Sequence, residues 1–165
     1  MNINTKKIAV MAIFAALYAV GVIYLAFMSF GPIQVRIADA MLPLSMIFGL
    51  PSALGLTLGC FVSSVYGSPY GPIDIVGGSI ANFVACVLAW YIGRKGGRIQ
   101  RFAGTIVQSV VISLIVGIYL GPLANVPVLL SVAGLLAGEV VAINIIGFPL
   151  QEAVRRSGII QRLNF

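Results

Sequence analysis

The sequence predicts an all-α membrane protein, a compact bundle of six transmembrane helices with both termini in the cytoplasm. Hydrophobic residues make up 60% of the 165 residues, charged residues make up only 8%, and the basic residues cluster between long apolar segments. A soluble domain carries roughly a quarter charged residues. Because so few polar side chains cannot cover a water-facing surface, we expect residues 1–165 to form a single, multi-pass domain of the cell membrane.

The first apolar segment follows Lys6 and Lys7 and superficially resembles a signal peptide, but it is long enough to cross a bilayer, which takes about 20 residues. Gly-Pro and Ser-Pro pairs interrupt the later segments, because proline cannot continue a helix there. The second and third segments are short, so we expect them to tilt or to be shielded by longer neighbours. The six predicted segments are 7–28, 40–50, 51–66, 73–92, 102–120 and 127–154.

The distribution of basic residues predicts the topology. If all six segments cross, nine of the ten basic residues collect on one side, and only Arg36 lies on the other. The cytoplasmic side of a membrane protein carries the excess of lysine and arginine. Both termini and the basic loop 93–101 are therefore predicted to be cytoplasmic.

Several functions are disfavoured by composition. The net charge of +6 is sorted by side of the membrane, so it does not predict a face for nucleic acid. The chain has no histidine, which excludes histidine-based acid–base chemistry and zinc sites with histidine ligands. Cys60 and Cys86 lie in apolar segments and are predicted to be buried free thiols. We expect no catalytic residue, metal or cofactor.

Small residues recur at four-residue spacing, the pattern by which membrane helices pack closely. Gly55/Gly59 and Gly134/Gly138 are predicted to pack inside the bundle. The fifth segment carries a similar face, formed by Thr105, Ser109, Ser113, Gly117 and Gly121. The first helix has two overlapping alanine pairs, Ala12/Ala16 and Ala15/Ala19. They predict either internal packing or a smooth surface for another membrane protein.

Polar groups inside the apolar segments are candidate ligand contacts. Glu139 lies near the centre of the sixth segment, where a charged group costs roughly 2.5–3.5 kcal/mol, so it should face a cavity or a partner. Asn82 shares a face of the fourth helix with other small and polar residues. Asn144 points elsewhere, and helix packing is the predicted role for it.

Arg36 and Asp39 lie three residues apart between two long apolar segments. They are predicted either to form the outward mouth of a small-molecule site or to pair with each other and shape the first loop. Asp74 is predicted to cap the fourth helix. Tyr66 and Tyr70 flank the turn-rich outer loop, where they form either a membrane-interface belt or a stacking surface for a planar heterocycle.

Three stretches carry a resemblance to a known family. Gln34-Val-Arg-Ile-Ala-Asp-Ala-Met-Leu-Pro-Leu44, Gly55-Leu-Thr-Leu-Gly-Cys60 and Tyr66-Gly-Ser-Pro-Tyr-Gly-Pro-Ile-Asp74 resemble the QueT-type substrate-binding subunits of energy-coupling factor (ECF) transporters. The resemblance covers nearly the whole chain and is most specific at Arg-Ile-Ala-Asp-Ala. It implies a six-helix membrane protein without enzymatic activity, which captures a micronutrient outside the cell.

The resemblance also implies partners. ATPase subunits would drive transport, in keeping with the absence of a Walker A motif from this chain. In related substrate-binding subunits an A-x-x-x-A signature on the first helix meets the coupling subunit, and Ala12, Ala16 and Ala19 match that pattern. This favours docking over internal packing for these alanines.

The implied substrate is a queuosine precursor, a 7-deazaguanine base such as 7-aminomethyl-7-deazaguanine. Carboxylates accept the paired N–H donors of a guanine-like edge and also balance an amine. The predicted substrate-binding residues are Glu139, Asn82, Tyr66, Tyr70, Arg36 and Asp39. Three other functions stay open: a subunit for thiamin, riboflavin or folate, an intramembrane enzyme using Asp39 and Glu139, and a structural membrane protein.

Overall fold

The structure is a computed structural model, and it describes residues 5–26 and 36–158. Within these residues five helices are long and apolar enough to cross a membrane. A shorter apolar stretch, which we call the central segment, lies between the first two of them. The helices are α1 (Thr5–Tyr24), α2 (Leu50–Gly67), α3 (Pro72–Gly93), α4 (Arg98–Leu123) and α5 (Val128–Arg156). The central segment is residues 36–48, of which Ile37–Phe48 is helical.

The all-α class is confirmed, whereas several predicted boundaries shift. α4 begins at Arg98, before the predicted residue 102, because the Gln100 side chain accepts a hydrogen bond from the Gly97 N–H and closes the first turn. α3 begins at Pro72 after Gly71, whose φ of 71° suits glycine. The prediction that Asp74 caps this helix is therefore wrong, whereas Asp74 does lie in the first turn, where a negative charge favours the helix dipole, as also predicted. The predicted end of the first helix, residue 28, lies outside the described residues.

The second predicted helix, 40–50, is instead mostly a 3₁₀ helix. Residues Ile37–Leu44 form the 3₁₀ helix, which contains Pro43, and Ser45–Phe48 add one α-helical turn. Most of the segment is buried, including Asp39 and Leu42 at 0% exposure. It contacts α1 and every other long helix, so it forms the centre of the bundle.

Glycine contacts give the relative directions of α1 and α2. A Cβ at Gly55 would meet the carbonyl oxygen of Met11, and a Cβ at Gly59 would lie 2.6 Å from that of Ala15. Because higher numbers on α2 face higher numbers on α1, the two helices run in the same direction. The predicted packing of this glycine pair is confirmed.

The central segment returns the chain between these two parallel helices. At its start, Arg36 lies close to Gly78 near the beginning of α3, with Arg36 Nη1 3.4 Å from a Cβ built at Gly78. Further along, Met46 packs against Gly93 at the end of α3. The segment therefore runs beside α3 over most of its length. We call the two ends of the bundle the Asp74 end and the Arg101 end.

The small-residue face of α4 packs against α5, as predicted. A Cβ at Gly117 would lie 2.8 Å from the Cα of Val132, and one at Gly121 would lie 3.0 Å from the Cα of Val128. Asn144 receives a 2.6 Å hydrogen bond from Ser109, which confirms its packing role. The prediction for Gly134 is wrong, since nothing from another described element lies within 4 Å of a Cβ built there.

α5 departs from α-helical geometry in the stretch that faces the central segment. Residues Val140–Gly147 form a π-helix immediately after Glu139. A Cβ at Gly147 would lie 2.7 Å from the carbonyl oxygen of Ala40, so the two backbones approach closely here. π-helical turns occur frequently at functional sites.

Two further features concern residues considered in the sequence. Cys60 and Cys86 are buried free thiols, as predicted. Arg101, predicted in a cytoplasmic loop, lies inside α4, and its Nε is 2.6 Å from Glu152 Oε1 on α5. Its Nη1 also donates to the Gly96 carbonyl at 2.8 Å. This ion pair joins α4 to α5 at the Arg101 end.

Candidate functional site

A cluster of buried polar side chains lies toward the Asp74 end, around the start of the central segment. It brings together residues from elements far apart in sequence. Every member named here is 5% exposed or less except Tyr119, which is partly buried. The members are Tyr18 from α1, Arg36 and Asp39 from the central segment, Cys60 from α2, Asp74 and Asn82 from α3, Tyr119 from α4 and Glu139 from α5.

Asp39 is held by a chain of hydrogen bonds across the bundle. The Tyr18 hydroxyl donates to Asp39 Oδ1, and Asn82 Nδ2 donates to the Tyr18 hydroxyl oxygen at 2.9 Å. Tyr18 is fully buried on the face of α1 that also carries Phe14 and Val22. Residues from α1 and α3 thus orient a carboxylate of the central segment, as expected for a polar group inside an apolar core.

Glu139 reaches the same point from α5. Its carboxyl is within hydrogen-bonding reach of the Asp39 carboxyl. Asp39 Oδ2 and Glu139 Oε2 are both buried and have no hydrogen-bond donor among the described residues. Two carboxyl groups therefore present acceptor oxygens that the described protein does not satisfy, and such oxygens can accept hydrogen bonds from N–H donors.

Asp74 forms the second half of the cluster. Arg36 Nη2 lies 3.7 Å from Asp74 Oδ2, and the Tyr119 hydroxyl donates to Asp74 Oδ1 at 2.9 Å. Ser68, in the loop before α3, donates to Asp74 Oδ2 at 2.5 Å. Arg36 Nη1 also faces Cys60 Sγ at 3.9 Å. The ion pair described for Arg36 thus joins the central segment to α3. Arg36 also interacts electrostatically with Asp39, so neither sequence-based alternative for this pair is excluded.

Five of the six predicted site residues lie in or next to the cluster. Arg36, Asp39, Asn82 and Glu139 come together in the cluster. Tyr70 is partly buried against the core nearby, and its backbone N–H donates to the Ser68 hydroxyl oxygen.

Tyr66 does not join them, because its side chain is 81% exposed on the outer surface of α2. This placement fits the interface-belt interpretation of Tyr66 rather than the stacking one.

Sequence reasoning missed Tyr18, Asp74 and Tyr119 as members of the cluster. Asp74 could have been found by its rarity, since it is one of four acidic residues in the chain. Tyr18 lies on the buried face of α1, at four-residue spacing from Phe14 and Val22, and its hydroxyl is a polar group on that apolar face. Tyr119 carried no signal, since a tyrosine near a helix end is equally typical of the membrane interface.

The cluster is rich in acceptors. Three carboxyl groups face one guanidinium, and the unsatisfied oxygens belong to the carboxyls. Such a site suits a ligand that carries several N–H donors or a positive charge. Among the described residues no group of three or more histidine, cysteine, aspartate or glutamate side chains could hold a metal ion.

Long apolar helices that surround a buried polar cluster define a multi-pass membrane protein. A family model described as "QueT transporter" matches residues 8–156. The chain belongs to this transporter family. A search of curated proteins and a search of solved structures each gave no significant match.

Proposed function

We propose that this protein is the substrate-binding subunit of an ECF-type importer of the cell membrane and captures a queuosine precursor, a 7-deazaguanine base. The single observation that carries the proposal is the buried pair of carboxyls, Asp39 and Glu139, each with an acceptor oxygen that no described residue satisfies, in a member of a transporter family. An ionisable group inside a membrane segment is by default a candidate for substrate contact.

The chemistry of the ligand fits the chemistry of the cluster. A guanine-like edge presents adjacent N–H donors, and a carboxylate accepts two such bonds at once. Glu139 is the proposed reader of this edge, Asn82 and Arg36 contribute further polar contacts, and Tyr70 supplies an aromatic face. Asp39 stands beside Glu139 for a second donor group or an amine.

We further propose that the whole chain is one domain with six crossings, the second formed by the central segment. α1 and α2 run in the same direction, so the chain has to return across the bundle between them. Eight 3₁₀ residues and one α-helical turn extend over about 22 Å, most of the roughly 30 Å hydrocarbon core. With six crossings the Arg101 end and both termini are cytoplasmic.

The proposed partners are a transmembrane coupling subunit and ATPase subunits. Ala12 and Ala16 are exposed on α1 and Ala19 is partly exposed, whereas the intervening Phe14 and Tyr18 are buried. The exposed alanines leave a smooth strip on which another helix can pack closely. Ala16→Trp should abolish assembly while leaving substrate binding intact, and Leu17→Trp, at an exposed position off this strip, is the matched control.

Mass spectrometry of small molecules released from the purified protein tests the substrate. A 7-deazaguanine base supports the proposal. Release of thiamin, riboflavin or folate would identify a different substrate, and the protein would still be a substrate-binding subunit. A chemically altered form of an added ligand would instead favour an intramembrane enzyme that uses Asp39 and Glu139 as an acid–base pair.

A binding measurement tests the site. Glu139→Gln removes one charged acceptor, and a hydrogen bond to a charged group contributes about 1.5–3 kcal/mol, so we expect the Kd to rise roughly 10- to 100-fold. Glu152→Gln makes the same change at the other glutamate of the chain, at the opposite end of the bundle. Equal affinity of the Glu139→Gln variant and the unchanged protein would exclude Glu139 as the reader.

A further inference from the structure

The Asp39–Glu139 pair has a property that substrate binding alone does not require. Two carboxylates accept hydrogen bonds but donate none, so they cannot bond to each other. If both were ionised, their like charges would repel. The repulsion is strong because both side chains are fully buried and little water screens them. Contact between two carboxyl groups becomes attractive when one proton lies between them, as in paired carboxyl sites in general.

The groups around the pair do not supply enough positive charge to ionise both carboxyls. Arg36 is the only cation of the cluster, and its described ion pair is with Asp74. The remaining neighbours are neutral donors or a further acid. The titratable groups that interact with the pair are Tyr18 from α1, Arg36 from the central segment, Cys60 from α2 and Cys86 from α3. Asp74 and Tyr119 lie beyond Arg36, since Asp74 contacts Arg36 and Tyr119.

We propose that Asp39 and Glu139 together hold one proton in the ligand-free protein and release it to water when a cationic ligand binds between them. This rests on the proposed function, because it takes the polar cluster as the substrate site. The N–H groups of a ligand ammonium satisfy the acceptor oxygens of both carboxylates, while the O–H bond of the shared acid breaks and its proton passes to buffer. One positive charge leaves as one arrives, so the net charge of the cluster does not change.

The shared proton lowers the energetic cost of keeping the ligand-free cluster inside a membrane. Without the proton, three carboxylates would face one guanidinium in an apolar surrounding, which is costly. With the shared proton, the three carboxyl groups and the guanidinium together carry a net charge of one negative unit. A neutral ligand cannot replace the proton, so the same mechanism discriminates between ligands by charge.

Infrared spectroscopy of the ligand-free protein tests the shared proton without any ligand. At neutral pH the unchanged protein should show the carbonyl stretch of a protonated carboxylic acid. Glu139→Gln should remove this band, and Glu152→Gln should leave it in place. Absence of the band from the unchanged protein would overturn the proposal. If the Glu139→Gln variant does not fold, loss of the band on adding 7-aminomethyl-7-deazaguanine to the unchanged protein replaces that comparison.

Titration calorimetry tests the exchange. If about one proton is released per ligand, the binding heats of 7-aminomethyl-7-deazaguanine measured at one pH in phosphate and in Tris should differ. The expected difference is the difference between the ionisation heats of the two buffers. The neutral 7-cyano analogue should show no such difference. Equal heats for the aminomethyl compound would overturn the exchange and leave the proposed function standing. If neither compound binds, the proposed function fails, and the infrared band still decides whether the pair holds a proton.

Discussion

Tyr18 shows at the level of one residue how this protein keeps a carboxylate inside a membrane. Its hydroxyl donates to Asp39 and accepts from Asn82, so one side chain satisfies two buried partners. Burying a polar group without a hydrogen bond is costly, and each buried donor or acceptor left without a partner lowers the free energy of unfolding. The hydroxyl therefore both positions Asp39 and stabilises the bundle.

Removal of that hydroxyl is the residue-scale prediction. Tyr18→Phe leaves Asp39 Oδ1 and Asn82 Nδ2 without it, and we expect a loss of about 1–3 kcal/mol in the free energy of unfolding. Thermal unfolding in detergent measures the change. Tyr24→Phe on the same helix is the control, since the Tyr24 side chain is 85% exposed. Equal losses in the two variants would contradict the role of the hydroxyl.

The charge on Asp74 gives a second residue-scale prediction. Asp74 receives Tyr119, Ser68 and Arg36 together, from α4, the loop before α3 and the central segment. Asp74→Asn removes the negative charge opposite a buried guanidinium, which typically costs about 3–5 kcal/mol when a buried pair is broken. We expect a lower unfolding temperature and weaker ligand binding. Unchanged stability would show that Arg36 does not depend on this carboxylate.

At the scale of the elements, the contact between α1 and α2 depends on two glycines. In lipid, helices gain stability from close van der Waals contact rather than from hydrophobic exclusion. Any side chain at Gly59 would collide with the backbone of Ala15 and the Cβ of Tyr18. Because Tyr18 also holds Asp39, this contact links helix packing to the geometry of the site.

Gly59→Ala tests that link. A Cβ there would lie 2.6 Å from the Ala15 carbonyl oxygen and 2.8 Å from the Tyr18 Cβ. We expect α1 to be displaced, with a loss of about 1–3 kcal/mol in the free energy of unfolding and weaker ligand binding. Gly134→Ala is the matched control, because nothing from another described element lies within 4 Å of its Cβ. Equal stability of both variants would show that α1 shifts without cost.

For the whole molecule, the proposal of six crossings states which ends of the helices share a side of the membrane. Single cysteines at exposed positions report it, and the native Cys60 and Cys86 are buried. With six crossings, Thr5→Cys and Lys95→Cys should resist a membrane-impermeant thiol reagent in intact cells, and Val126→Cys should react. Five crossings would place positions 5 and 95 on opposite sides, so one of the two would then react.

Particular residues show how far sequence reasoning extended into the site. Glu139, Asp39, Arg36 and Asn82 stood out because polar groups are rare in apolar segments, and these four come together. The partners were harder to assign. Arg36 and Asp39 interact electrostatically, but the sequence did not indicate that Arg36 also forms an ion pair with Asp74 or that Asp39 accepts a hydrogen bond from Tyr18. Tyr66 and Tyr70 are near in sequence too, and only Tyr70 packs against the core.

The all-α membrane class, the approximate helix limits and the small-residue faces of α2 and α4 were predictable from sequence, because hydropathy and residue spacing act along one helix. The 3₁₀ form of the central segment, the π-helix of α5 and the meeting of Asp39 with Glu139 depend on contacts between elements. The close approach of Gly147 to Ala40 involves residues about a hundred positions apart. No local pattern records such a contact, so only the tertiary structure could decide it.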